Sequence, residues 1–102
     1  MKEYDIFVPL YYNDGGPIET KKFQDLQEYL LRHFDGLTFF PQPNKGIWRM
    51  GKVIYHDEVV IYRVLTENRK KAKKVLLRLK ESLKRTFRQE EILIITRNVG
   101  VL

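Results

Sequence analysis

The sequence predicts an α+β domain in which a four-stranded antiparallel sheet carries two helices on one face, in the order βαββαβ. Three observations predict it. Two stretches, residues 19–34 and 68–87, repeat apolar residues at helical spacing. Four stretches rich in β-branched and aromatic residues flank them, and clusters of Gly, Pro, Asn and Asp separate strand from helix. A chain of 102 residues fits one domain, 1–102, and is too short for two separate cores.

Tyr4 to Tyr12 is the first strand, ended by the turn formers Asn13-Asp14-Gly15-Gly16-Pro17. Neither of its faces, Tyr4-Ile6-Val8 or Asp5-Phe7-Pro9, is cleanly polar, which predicts cover on both. Phe23, Leu26, Leu30, Leu31 and Phe34 then form one apolar face of a helix from about Glu19 to Phe34, with His33 at its border. Gly36 suits a left-handed helix end, and Leu37 to Phe40 resumes a strand. Pro41 to Gly46 is expected to break the ladder into a long irregular excursion, because proline donates no backbone hydrogen bond. Within that excursion Ile47–Arg49 and Val53–Tyr55 pair as a small hairpin around Met50-Gly51, before Val59 to Leu65 runs as a longer strand.

Asn68 is the expected N-cap of a second helix reaching about Phe87, with Ala72, Val75, Leu76, Leu79, Leu83 and Phe87 as its apolar stripe. Glu90 to Thr96 is the last strand; its run Ile92-Leu93-Ile94-Ile95 implies burial on both faces. The element order is that of two βαβ halves, the split arrangement called ferredoxin-like. Right-handed crossovers place both helices on one side of the sheet.

Composition excludes several functions. Cysteine is absent, so disulfides, thiolate catalysis and cysteine-ligated zinc are ruled out. No run approaches a membrane span, and the N-terminal apolar run, interrupted by Pro9, is unlike a secretion signal, so a cytoplasmic location is expected. The sequence carries no cofactor signature and no catalytic motif.

Charge is highly localised. Arg69 to Arg88 holds ten basic residues against the single acid Glu81, a net +9, whereas the remainder is −3. Lys70, Lys71, Lys73, Lys74, Arg78, Lys84 and Arg85 are the candidate anion-binding residues, for nucleic-acid phosphate or an acidic protein. The competing reading is a solvated lysine-rich face that serves solubility. RNA recognition through stacked aromatics is disfavoured, because Glu58 to Arg63 lacks the basic-Gly-aromatic pattern of that fold's third strand.

The central stretch supplies the candidate pocket residues Trp48, Arg49, Tyr55, His56, Asp57 and Glu58. His56 beside carboxylates suits acid–base work, with Tyr55 or Tyr62 as a proton donor; against this, the cluster also reads as a polar strand entry. Along a strand His56 and Glu58 share a face while Asp57 points away, so the three do not converge on a metal without a bulge. Trp48, between Gly46 and Gly51, either caps a pocket or plugs the edge of the core, and plugging is the expectation for a small domain.

Phe34-Asp35-Gly36-Leu37-Thr38, then Gly46-Ile47-Trp48, then Asp57-Glu58 leading into an aliphatic strand, resembles a family of small bacterial proteins of uncharacterised function. The resemblance spans Phe34 to Leu65 and implies a ferredoxin-like fold; it implies no reaction and no catalytic residue. It departs from the family pattern in lacking the Pro between the Phe and the Asp.

The expected role is therefore a homo-oligomeric binding or structural module, a homodimer through the sheet face away from the helices. The pairs Ile61 and Val60, Ile92 and Leu93, and Val8 and Phe7 make the strands apolar on both sides, and a monomer would leave one side bare. Such packing encloses a pocket between subunits. Nonspecific nucleic-acid binding through the second helix and a small enzyme centred on Tyr55 to Glu58 are the alternatives.

Overall fold

The computed structural model describes residues 1–102 and shows the expected order, β1 (Lys2–Pro9), α1 (Thr20–His33), β2 (Thr38–Met50), β3 (Val53–Thr66), α2 (Arg69–Thr86) and β4 (Leu93–Asn98). The four strands form one antiparallel sheet in the order β2-β3-β1-β4, a ferredoxin-like arrangement. Tyr4, Ile6 and Val8 of β1 and Val60, Tyr62 and Val64 of β3 meet Leu26 and Leu30 of α1 and the stripe Ala72, Val75, Leu76, Leu79 and Leu83 of α2. Those even-numbered strand positions face the helices, so the odd-numbered ones face away.

Each helix end has a local cause. Asn68 Oδ1 accepts from the Lys71 N–H at 3.1 Å and caps α2. At the other end the Gln89 N–H reaches the Lys84 carbonyl and the Arg88 N–H the Arg85 carbonyl, with Arg88 at φ +52°, a Schellman closure. Phe87 packs edge-on against Phe23 at 5.3 Å and ties the two helices together. No helix is long and apolar enough to cross a membrane.

Four expectations are corrected. Gly36 does not take a left-handed conformation; α1 ends where Phe34 turns extended (φ −130°, ψ 149°) while still donating to the Leu30 carbonyl. Leu31, placed on the apolar face, is exposed. Ile92 enters the core just ahead of β4 rather than within it, held by Glu91, whose carboxylate accepts the Ile92 N–H and pairs with Lys80. The excursion is no irregular loop. β2 absorbs Pro41-Gln42-Pro43 as a register shift between Phe40 and Asn44, then pairs with β3 as far as Met50 and Val53. The hairpin closes through Gly51-Lys52, with Gly51 at φ +63°, as the first central residue of a tight hairpin loop requires.

Candidate functional site

The sheet face away from the helices is uncovered. It presents Phe7 from β1, Ile61 and Leu65 from β3, Leu93 and Ile95 from β4, and Phe40 from β2. At its centre lies a feature the sequence reading missed. The Arg63 guanidinium donates to both Asp5 carboxylate oxygens at 2.8 and 3.0 Å, and also pairs with Glu3. Arg97 bridges Glu3 and Asp5, both at 3.2 Å. Asp5 is only 3% exposed and Glu3 8%, whereas the side chains of Arg63 and Arg97 remain 34% and 42% open. Hydrogen bonding to Asp5 holds the Arg63 guanidinium above its ordinary pKa. The second face, on which the sequence places Asp5 with Phe7 and Pro9, is thus an apolar rim around a neutral network of two acids and two arginines.

That face does not end with the body of the sheet. Beyond Val59, which still pairs with Pro9, and Glu58, whose carbonyl accepts from Leu10, the two strands continue from Gly46–Asp57 to Met50–Val53 as a free-standing arm. Trp48 lies directly opposite Tyr55, and Met50 opposite Val53, on the same side as Ile61 and Arg63. The same side of the sheet therefore continues from β4 to the arm tip, with Asn44 and Asp57 between the apolar rim and Trp48.

The candidate pocket residues fall on both sides of this arm. Trp48, Tyr55 and Asp57 share the open side, whereas Arg49, His56 and Glu58 lie on the other, opposite Ile54, Ile47 and Lys45. They do not converge on one point. Trp48 does not plug the core; it is 39% exposed, and its indole folds back over Gly46. His33 is half-buried beside the Tyr29 ring at 4.5 Å.

At the far end of the open face, a groove of ≈ 790 Å³ is bounded by Asp35, Gly36, Leu37 and Thr38 on one side and Thr66, Glu67 and Asn68 on the other, with Arg63 and Leu65 in its floor. The α1–β2 and β3–α2 junctions form its walls because both arrive at the same end of the sheet. Asp35 and Glu67 have no cationic side chain within 4 Å.

The helical face carries the cationic strip. Lys70, Lys71, Lys73, Lys74, Arg78 and Arg85 are exposed and pair with no carboxylate, while Lys84 sits 3.9 Å from Glu81 and Lys80 3.0 Å from Glu91. Hydrogen bonding from Lys80 is the main reason the Glu91 carboxyl lies below its ordinary range. A second cluster missed from sequence joins the β1–α1 loop to the end of α2. The Tyr12 hydroxyl donates to Glu19 and accepts from Lys22, which also donates to the Thr86 carbonyl at 2.6 Å. The hydrogen bond with Tyr12 is the chief cause that lowers the Glu19 pKa and raises that of Lys22. Tyr12, Glu19 and Lys22 are near one another in sequence, but Thr86 stands 64 residues from Lys22, and the packing of α1 against α2 brings it to them.

No protein-family model and no curated protein sequence matches the chain. Among solved structures, a phage SAM lyase in complex with S-methyl-5'-thioadenosine is similar, with a TM-score of 0.72 and 14% sequence identity over 94% of this chain and 79% of that one. The likeness is one of fold.

Proposed function

We propose that the protein is a homo-oligomeric binding module whose open sheet face is covered by a further copy, enclosing a small-molecule pocket between subunits. The observation that carries this reading is the extension of the open face into the arm, where Trp48, Tyr55, Met50 and Val53 are exposed with nothing of their own chain to bury them. Charge supports the same arrangement. The open face is neutral through its Glu3, Asp5, Arg63 and Arg97 network, and the cationic α2, with nine basic residues against Glu81, lies on the opposite side of the sheet, so copies meeting by their open faces keep the cationic strips apart.

The ligand class follows from the rim. Flat rings and guanidinium groups beside hydroxyls suit a neutral, ring-bearing molecule, and the ligand of the similar lyase, S-methyl-5'-thioadenosine, is the first to try. Light scattering during size-exclusion chromatography tests the assembly, with a multimer expected at moderate and high salt alike. Titration with S-methyl-5'-thioadenosine, read through the sole tryptophan, tests the ligand. A monomer at every concentration overturns the reading.

A second reading has its own observation, the row Lys70, Lys74 and Arg78 at four-residue spacing without acidic partners. It makes α2 a sequence-independent seat for nucleic-acid phosphate. Binding to duplex DNA should fall steeply with salt; affinity retained at high salt removes phosphate contact as its cause.

A further inference from the structure

We infer that the arm of one copy closes the groove of another, with Trp48 and Tyr55 supplying in trans the wall that the groove lacks between Asp35–Thr38 and Thr66–Asn68. The inference rests on the homo-oligomeric reading and specifies which parts meet.

Reach excludes closure within one chain. Tyr55 and Thr66 stand eleven residues apart on β3, which at about 3.3 Å per residue separates arm from groove by roughly 36 Å. The molecule's longest extent is 41 Å, so arm and groove lie at opposite ends. Yet they share a side, because Tyr55, Arg63 and Leu65 are all odd-numbered positions of one strand. Two sheets laid face to face in opposite directions bring each arm over the other's groove.

Charge makes the same pairing. At the arm tip Lys52 stands in the Gly51-Lys52 turn with no acid beside it, whereas Lys45 and Arg49 lie on the side away from Trp48. The groove is lined by Asp35 and Glu67, neither of which pairs with a cation within 4 Å, by Arg63, which is taken up by Glu3 and Asp5, and by the Met1 terminus. Ring chemistry agrees as well. Arg63 lies over the Phe40 ring at 4.9 Å with a third of its side chain still open, and a guanidinium stacks readily on an indole or phenol. The closed groove thus has an aromatic wall from one subunit and a polar floor from the other.

Because the chain has no cysteine, single thiols report the contact cleanly. Trp48→Cys and Thr38→Cys proteins are mixed and oxidised; a disulfide needs the two Cα atoms to come within about 7 Å. A mixed product forming several-fold faster than that of Trp48→Cys with Lys74→Cys, on the helical face, is the expected result. Tyr55→Cys in place of Trp48→Cys guards against damage from losing the indole. In parallel, Lys52→Glu should loosen the assembly and Asp35→Lys on the same chain should restore it. A multimer that persists without preferential cross-linking and without charge rescue overturns the arm-to-groove pairing while leaving the homo-oligomer standing. A monomer overturns both.

Discussion

The indole of Trp48 lies back over Gly46, so that a β-carbon at position 46 would stand 2.9 Å from the indole Nε1. Residues two apart on a strand share a face, which is why a Gly-x-Trp spacing lets a large ring lie flat along an exposed arm. Gly46→Ala is expected to lift the ring. Because the arm contributes nothing to the core, thermal stability should change by no more than about 0.5 kcal/mol. The tryptophan emission should shift, and the association measured by light scattering should weaken. An unchanged spectrum would show that the ring does not rest there.

Asp5 is the buried hub to which both Arg63 and Arg97 donate. Asp5→Ala leaves two guanidinium groups competing for Glu3. Breaking a buried ion pair costs about 3–5 kcal/mol, and solvent screening of the partly open arginines brings the expected loss to about 2–3 kcal/mol. The double replacement Asp5→Leu with Arg63→Met removes both charges and leaves Glu3 with Arg97, so it should recover most of that stability. Urea midpoints of the three proteins check the order, with the single variant lowest.

The element order was legible because helical periodicity in α1 and α2 and turn residues such as Asn13 to Pro17 are local signals. Two features of the site were not. Asp5 and Arg63 are 58 residues apart and Asp5 and Arg97 92 apart, so their meeting depends on register across three strands. A hint existed, since Glu3 and Asp5 alternate with apolar residues in β1, and period two would have put both on the second face. The arm was obscured by Pro41 and Pro43. Proline argues against a central strand, but β2 is an edge strand and takes both within a bulge. Trp48 then fell outside the core, because the hairpin carries it beyond the reach of either helix.

Tyr62 is fully buried, stacked on Phe39 at 4.6 Å, and Gln27 is its hydrogen-bond partner at 3.3 Å. Burial raises its pKa above the ordinary value of 10.0. The sign follows directly. The unfolded chain loses the phenolic proton first, so the stabilisation from keeping the phenol neutral is complete below pH about 10 and is lost as pH rises through the higher folded value. Melting temperatures followed upward through the alkaline range above pH about 10 should fall less steeply for Tyr62→Phe than for the native protein. Parallel curves would exclude Tyr62 as a source of the alkaline loss.

Lys70 stands in the first turn of α2, where the helix dipole favours acids, and Lys74 follows one turn on. The turn has no acidic residue; the Asn68 side chain accepts from the Lys71 N–H and the Glu67 carbonyl from the Arg69 N–H. Lys70→Glu therefore reverses an unfavourable interaction with the dipole and turns a like-charged pair into an attractive one. It should stabilise the fold by about 0.5–1 kcal/mol at low salt, fading as salt is added. If α2 seats polyanions, the same substitution should weaken duplex DNA binding and flatten its salt dependence. Opposite movements of stability and binding would mean that the cationic first turn is retained for a partner at the fold's expense. A gain in stability with DNA affinity unmoved would leave the strip as a solvated face.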